Sequence, residues 1–284
     1  MVGNDRSRAD ADAYSNADAG GLPKLFVFDL DGTALGGTNR PYARLPGTLC
    51  RLLDELAANG CAWATDTTWD VKPQMQLVHA SDVASRPAYL IGGAGLQLCA
   101  VNGDECVPVQ PYTDTMNARL EEAVRKELRP FMQELCGTFA ARSFSFNGFW
   151  FAMTAADESA EALMNAVERK AREASGLTIV RVPEENRFYA HPAFLRKGTG
   201  LRALLEAGGF RPEDVVVAGD EEMDLDMMRP ELAKHVICPS NAHPEVKRRV
   251  AEMNGVVGGK PYGDGVVEAF RALAEARGWT LQGG

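Results

Sequence analysis

Several features that would indicate a membrane, a nucleic-acid surface or a secreted product are missing from this sequence of 284 residues. The amino terminus has no hydrophobic stretch of the kind found in secretory signals, and no apolar run is long enough to span a bilayer. Basic residues are in the minority, with 30 Lys and Arg against 39 Asp and Glu. We therefore expect no nucleic-acid or membrane partner, while a local pocket can still bind an anionic small molecule.

Signals for a zinc site are also missing. The six cysteines form no C-x-x-C pair, and no histidine stands near them at the spacing of zinc ligands. The four histidines share no regular spacing. We expect free thiols in a reducing cytoplasm, although the even number of cysteines leaves a disulfide open.

The most informative segment that is present runs from Leu25 to Leu35 and reads LFVFDLDGTAL. Its apolar start predicts a buried central strand, and two acids, Asp29 and Asp31, follow at the end where open α/β sheets bind ligands. Residues two apart point to the same side of an extended chain, so these carboxylates converge. A cation or a shared proton can relieve their repulsion, and a hard dication with oxygen ligands, Mg²⁺ first, is the solution we expect. An ordinary Asp-Gly turn is the simpler alternative, but it does not explain the paired acids.

The apolar pattern divides the chain into four parts. Residues 1–22 lack an apolar period and are expected to form a disordered tail. Residues 23–111 begin an α/β core with alternating strands and helices, and residues 189–284 resume it. Residues 112–188 read as helix, hairpin, helix, hairpin, which predicts a separate α+β module inserted into the core.

Within the module, one amphipathic helix is predicted over residues 116–136, with an interruption near Pro130. Asn-Gly pairs at 102–103 and 147–148 predict the turns of two hairpins, one before the module and one inside it. Aromatic residues surround the second pair, and we expect them to pack against the module's own sheet rather than line a sugar pocket. They are Phe144, Phe146, Phe149, Trp150 and Phe151.

Four segments place polar groups just past a strand end or at a helix start. They contribute Asp29, Asp31 and Thr33, then Thr65, then Lys197, and finally Asp220 with Asp224. Phosphoryl transfer needs such a set, because the charge of a phosphate ester must be offset before a nucleophile can attack. One carboxylate can attack phosphorus and form an aspartyl-phosphate that water later cleaves, while the other exchanges protons with the leaving oxygen and with water.

These motifs resemble, in this order, those of the haloacid dehalogenase superfamily of phosphohydrolases: FDLDGT, a strand ending in threonine, a lysine before a helix, and GD-x-x-x-D. The place of the insert resembles the branch with a large α+β cap, which includes the Cof-type phosphatases and sucrose-phosphate phosphatase. The resemblance covers residues 24–270. It implies a three-layer Rossmann-like α/β core with a mostly parallel sheet, plus an inserted α+β cap that gates turnover over the strand ends, with hinges near residues 111 and 189.

The resemblance also implies catalytic roles. Asp29 matches the nucleophile, and Asp31 matches the general acid/base whose backbone carbonyl also binds the metal. Thr65 and Lys197 match the pair that binds the substrate phosphate. The implied partner is a small phosphorylated substrate.

For the metal, Asp220 matches a direct ligand and Asp224 an acid that orients metal-bound water. The implied cofactor is Mg²⁺, with four acids around it. They are Asp29, Asp31, Asp220 and Asp224. The chain departs from the family pattern at Asp66, where Thr-Gly-Arg is usual and Thr-Asp-Thr is found, and at Met223, where the Cof branch often has asparagine.

The sequence therefore predicts a Mg²⁺-dependent phosphatase that hydrolyses a small phosphorylated metabolite, with a sugar phosphate expected first. A phosphomutase is the alternative, although Leu30 between the two acids favours hydrolysis over the DVDGT form of phosphomannomutases. A catalytically weak binding or regulatory protein with the same fold is the third hypothesis, and the departures at Asp66 and Met223 give it weight. The sequence carries no signal for an oligomeric state.

Overall fold

The computed structural model describes residues 21–37, 44–173, 176–182 and 185–281. The predicted disordered tail lies outside this range except for its last two residues. The chain forms two compact units, and residues Thr113–Leu195 make up the second. The first unit consists of the chain on either side of that segment.

Within the described residues, the strands are β1 (Leu25–Phe28), β2 (Ala62–Asp66), β3 (Tyr89–Gly92), β4 (Gln97–Asn102), β5 (Glu105–Pro108), β6 (Ala141–Phe146), β7 (Phe151–Ala155), β8 (Leu177–Val182), β9 (Arg187–Pro192), β10 (Val215–Ala218), β11 (His235–Cys238) and β12 (Val256–Val257). The helices are α1 (Gly47–Ala58), α2 (Val71–Ala80), α3 (Gln110–Ala123), α4 (Arg129–Thr138), α5 (Ala160–Glu173), α6 (Lys197–Gly208), α7 (Pro244–Glu252) and α8 (Tyr262–Arg277). Among the helices described, none combines the length and the apolar character that crossing a membrane requires.

The first unit is built on an eight-stranded sheet of order β12-β11-β10-β1-β2-β3-β4-β5. The strands from β12 to β3 run parallel, whereas β4 and β5 are added antiparallel. β1 lies between β10 and β2, so that Phe28 stands opposite both Ala218 and Thr65. After β1, the next strand of the chain, β2, is added on one side of it, and the later strand β10 is added on the other side. Such a reversal of strand order opens a crevice beyond the strand ends.

Alternate residues of β1 face two different helix layers, as the two-residue period of a strand requires. Phe26 and Phe28 belong to an apolar cluster with residues of α1 and α8, and Leu25 and Val27 to a second cluster with residues of α6 and α7. All four side chains are fully buried, which explains why this strand is apolar on both faces. The arrangement confirms the predicted three-layer α/β core.

The second unit is built on a four-stranded antiparallel sheet of order β6-β7-β9-β8. Its core joins sheet residues such as Phe188 to Phe131 of α4 and Leu163 of α5. A π-helical turn, Val124–Leu128, connects α3 to α4. Pro130 has no amide hydrogen and crowds the carbonyl four residues earlier, so the helix widens just before it instead of ending.

Two predictions about the second unit need correction. The boundary predicted at residue 188 falls inside β9, which pairs with both β7 and β8, so the unit extends to Leu195. The aromatic residues do not all pack against the sheet, because Phe144 and Phe146 are 67% and 41% exposed. They belong to β6, one of the two edge strands, which contributes no residue to the apolar core of the unit.

Both predicted hairpins form, with turns that differ slightly from the prediction. Asn102 pairs with Glu105, so the first turn is the dipeptide Gly103-Asp104. In the second hairpin, Phe146 pairs with Phe151 and leaves a loop of four residues between them. All six cysteines are free, which resolves the disulfide left open by the sequence.

Candidate active site

The polar segments singled out in the sequence meet in the first unit, at the carboxyl end of its parallel strands. Asp29 directly follows β1, and Asp220 lies two residues after β10, the strand paired with β1. Thr65 lies in β2 on the other side of β1. Lys197 is the first residue of α6. Parallel strands end at the same edge of a sheet, and this brings residues from distant parts of the chain together.

At the centre, a buried lysine lies between two aspartates. The Lys197 Nζ donates hydrogen bonds to Asp29 Oδ1 and Asp224 Oδ1, each at 2.6 Å. All three side chains are almost completely buried. Burial favours the neutral amine, but Asp224 and Asp29 outweigh it and raise the pKa of Lys197, so the side chain stays charged. The site therefore has a fixed positive charge.

One lysine does not balance the acids around it. Carboxylate oxygens of Asp29, Asp220 and Asp224 all lie within 4.8 Å of one another, and if all three acids were ionised, one positive charge would leave two negative charges unbalanced. Burial raises the pKa of Asp29 to about 8 and that of Asp220 to about 7. Neighbouring acids add to both increases. A buried oxygen cluster with this deficit fits a hard dication such as Mg²⁺.

The three acids differ in how many oxygens they have available. Asp224 uses both, because Oδ1 accepts from the lysine while Oδ2 accepts from the amides of Asp220 at 2.8 Å and Glu221 at 2.9 Å. The Thr33 hydroxyl donates to Asp220 Oδ1 at 2.6 Å. Among the described residues, none donates a hydrogen bond to Oδ2 of Asp29 or of Asp220. These two atoms are therefore open to a ligand. Asp224 instead holds Lys197 and the loop that contains Asp220 and Glu221 in place through its hydrogen bonds.

Asp31 has a different environment from Asp29. Its Oδ2 accepts a hydrogen bond from the Trp69 indole Nε1–H at 2.6 Å, and its carboxylate is not part of the three-acid cluster. The next residue, Gly32, has φ +81°, and a Cβ there would lie 2.2 Å from Asp220 Oδ2. A glycine therefore lets the chain turn close to the acid cluster while Asp31 points to the indole.

Thr65 is buried, and its hydroxyl donates to Gln74 Oε1 at 2.5 Å. The side-chain amide of Gln74 in turn donates to the carbonyls of Trp69 at 3.0 Å and Ile91 at 3.1 Å. These bonds fix the orientation of the Gln74 amide, with its oxygen towards the threonine. A role for Thr65 in binding phosphate requires its hydroxyl to exchange this partner for the ligand.

Asp66, the first departure from the family pattern, is completely buried, and neither of its carboxylate oxygens has a hydrogen-bond partner among the described residues. Burial raises its pKa well above the usual range. Lys197 opposes this increase and Asp29 adds to it. Burial without a partner therefore favours the protonated, neutral form of this carboxyl over a charged carboxylate. Met223 lies in a short 3₁₀ turn, Glu222–Asp226.

Three residues of the site were not assigned a role from the sequence. Gln74 had a signal, because it falls on the apolar face of α2 between the buried Val71 and Val78. The Asn241 side chain bridges two segments, because it donates to the Gly32 carbonyl and accepts from the Tyr262 amide, at 2.8 Å each. Trp69 had no such signal. Its contact with Asp31 depends on the path of the loop after β2, which no local sequence pattern predicts.

Comparison with known proteins identifies similar chains. A family model described as sucrose-6F-phosphate phosphohydrolase matches residues 22–273. A phosphoglycolate phosphatase of Methanosarcina acetivorans is 32% identical over 160 residues, which cover 51% of this chain and 68% of the relative. The family match spans most of the chain and includes every segment of the site.

Two solved structures have the same fold at low identity. The sucrose-phosphatase of Synechocystis sp. PCC6803, in complex with sucrose and phosphate, has a TM-score of 0.62 at 15% identity and covers 90% of this chain and 98% of its own. A haloacid dehalogenase-like hydrolase of Bacteroides thetaiotaomicron has a TM-score of 0.56 at 19% identity, with coverage of 88% and 99%. At this identity, the likeness concerns the fold alone.

Proposed function

Because the chain belongs to the sucrose-6F-phosphate phosphohydrolase family and is a phosphoric monoester hydrolase of the haloacid dehalogenase superfamily, we propose that it is a Mg²⁺-dependent sugar-phosphate phosphatase. The proposed reaction proceeds through an aspartyl-phosphate on Asp29. The observation that carries the proposal is the cluster of three buried carboxyl groups around one lysine, which would have a net charge of −2 with all three acids ionised.

In the proposed first step, the Asp29 carboxylate attacks phosphorus. The new bond joins an Asp29 oxygen to phosphorus, and the bond from phosphorus to the ester oxygen breaks. Asp31 gives its proton to the leaving oxygen, which departs as an alcohol. In the second step, water attacks phosphorus and gives a proton to Asp31, the bond to Asp29 breaks, and inorganic phosphate is released.

The surrounding residues hold this chemistry in place. Lys197 keeps Asp29 oriented and offers positive charge to the transferring phosphoryl group. Mg²⁺, held by Asp29, Asp220 and the Asp31 carbonyl, would supply the charge neutralisation that the lysine alone cannot provide. Asp224 keeps the lysine and the Asp220 loop fixed through its three hydrogen bonds.

The names of the relatives support two classes of substrate. The family and the Synechocystis structure are named for a sugar phosphate, which supports a sugar phosphate here. The relative from Methanosarcina acetivorans is named for phosphoglycolate, and this favours a phosphorylated hydroxy acid as the second candidate. We also propose a cytoplasmic location, which the six free cysteines support.

A panel of phosphorylated metabolites tests the proposal. The wild-type protein is incubated with Mg²⁺ and sugar phosphates, sucrose 6-phosphate among them, and with 2-phosphoglycolate, and both free phosphate and isomeric products are measured. We expect phosphate release, with a sugar phosphate preferred. Isomer formation without phosphate release would favour the phosphomutase, and the absence of both across the panel would favour the binding protein.

A further inference from the structure

We propose that Trp69 is a positioning residue for Asp31, and that its indole N–H fixes which oxygen of that carboxyl carries the transferred proton. The inference rests on the proposed function, because it assigns Asp31 the role of general acid and base. It adds a residue that the sequence motifs do not contain. The observation behind it is the 2.6 Å hydrogen bond from Trp69 Nε1 to Asp31 Oδ2.

The chemistry of the donor selects the oxygen. An indole N–H can only donate, so the atom it contacts must act as an acceptor. The carbonyl oxygen of a carboxylic acid accepts more strongly than its hydroxyl oxygen, so the indole favours the acid form in which Oδ2 lacks the proton and Oδ1 carries it. A carboxyl without such a partner can present the proton on either oxygen and in more than one rotamer. The indole removes that freedom before the substrate binds.

The indole itself is held in place. The Trp69 carbonyl accepts hydrogen bonds from the amide of Gly93 and from the Gln74 side chain, each at 3.0 Å. A Cβ on Gly92 would lie 2.7 Å from the same carbonyl, so the close approach depends on a glycine there. The Trp69 ring packs against the apolar cluster that contains Phe28. A donor with its backbone and its ring both fixed can determine the position of its acceptor.

The same bonds connect Trp69 to the predicted phosphate ligand. Thr65 donates to the Gln74 oxygen, and Gln74 donates to the Trp69 carbonyl. A chain of hydrogen bonds thus runs from β2 through α2 to the general acid. In this protein, the threonine of the second motif supports the loop that carries Trp69.

General-acid catalysis makes a specific prediction about leaving groups. An alkyl phosphate needs a proton on its leaving oxygen, whereas p-nitrophenyl phosphate has a leaving group stable enough to depart without one. We expect Trp69→Phe, which keeps a ring but removes the N–H, to lower kcat/KM for alkyl phosphates about 10- to 100-fold, a part of the usual contribution of a general acid. The loss for p-nitrophenyl phosphate should be several-fold smaller, so the dependence on leaving-group pKa becomes steeper.

The matched control is Trp63→Phe. The Trp63 indole also donates a hydrogen bond, but to Ser85 Oγ at 3.0 Å, and its ring lies in the same apolar cluster. This variant should lose stability without a change in the dependence on the leaving group. If Trp69→Phe does not fold, replacement of Trp69 with benzothienylalanine, which has sulfur in place of N–H, tests the same bond with almost no change in shape.

A double-mutant cycle separates positioning from a merely structural role. In an Asp31→Asn background the general acid is already lost, so Trp69→Phe should cause little further loss of kcat/KM for alkyl phosphates. Equal losses for alkyl and p-nitrophenyl phosphates, or fully additive losses in the cycle, would overturn the assignment of Trp69. A wild-type protein that releases no phosphate from any ester would instead overturn the proposed function.

Discussion

The cores of the two units differ in what they bury. Of the eleven buried polar or charged side chains among the described residues, ten lie in the first unit and one, His191, lies in the second. Burying polar groups costs free energy of folding unless they have partners, and buried charges cost more. The first unit nevertheless buries four ionisable groups within one cluster. They are Asp29, Lys197, Asp220 and Asp224.

The second unit is organised by apolar packing. The Phe188 ring contacts Phe131 and Phe151 edge-on, with centroid distances of 5.9 and 5.7 Å. Its charged side chains lie on the surface. The comparison indicates that the first unit gives up stability to bring charged groups together, whereas no Asp, Glu, Lys or Arg is buried among the described residues of the second unit.

The largest effect is expected from the charged core of the first unit. Asp29→Asn removes the nucleophile, and we expect kcat to fall by about 10⁴-fold or more, as for other nucleophile deletions. The melting temperature should not decrease, because the change removes one charge from an acid-rich cluster. Steady-state kinetics at saturating substrate, with a raised concentration of the variant, measures this loss.

Asp82→Asn is the matched control for the nucleophile. Its side chain is 89% exposed and outside the cluster, so the same chemical change should leave kcat unaltered. Normal turnover by Asp29→Asn would show that Asp29 is not the nucleophile. Catalysis would then not explain why the first unit buries these ionisable groups.

The next largest effect is expected in the apolar core of the second unit. Phe188→Ala leaves a cavity between Phe131 and Phe151, and we expect it to lower the free energy of unfolding by about 3–5 kcal/mol. Since no acidic cluster suited to a metal is found among the described residues of this unit, adding Mg²⁺ should not change that loss. Denaturant titrations with and without Mg²⁺ measure both quantities. A loss that Mg²⁺ fully restored would contradict the separation of the two cores.

The buried Asp66 of the first unit should make the free energy of unfolding depend on pH. Burial raises its pKa in the folded state, so the folded protein keeps a proton that the unfolded chain releases as pH rises above the ordinary value. This group therefore stabilises the fold less and less as the pH increases. Asp66→Asn cannot ionise, and we expect it to exceed the wild type by about 1–3 kcal/mol near pH 8, with the difference disappearing near pH 4. Parallel pH profiles of unfolding free energy would show that Asp66 is ionised in the folded protein.

The smallest effect is expected at the exposed strand of the second unit. Phe144 is 67% exposed on β6, so Phe144→Ser should change the free energy of unfolding by no more than about 0.5 kcal/mol. Phe151→Ser, in the neighbouring strand and fully buried, is the comparison variant and should be strongly destabilising. A large loss at Phe144 would mean that β6 is covered in solution.

Much of the first unit could be predicted from sequence, because its strands are short apolar runs that end in polar residues. The apolar run before Asp29 forms the buried strand β1, as predicted, and the structure brings Lys197 into contact with Asp29 and Asp224. Helix α2 was not predicted, because Pro73 and several polar residues interrupt its apolar stripe. The end of the second unit was placed too early, because the pairing of β9 with two strands is a long-range property.

Side-chain partners within the site were harder to predict than its members. The spacing of Asp29 and Asp31 suggested two converging carboxylates, whereas the structure gives Asp29 a lysine and Asp31 an indole. Trp69 and Asp31 are 38 residues apart, and their contact depends on the path of two loops. Thr65 was expected to face phosphate, and only the structure reveals Gln74 as its partner. Such contacts follow from packing rather than from any local pattern.

Phosphate release after complete chelation, followed by titration with Mg²⁺, most directly tests the link between the acid cluster and catalysis. We expect no measurable turnover with chelator present and full recovery with Mg²⁺, because three buried carboxylates and one lysine need two more positive charges to accept a phosphate ester. A chelated protein that hydrolysed its substrate at the full rate would contradict the proposed role of the cluster.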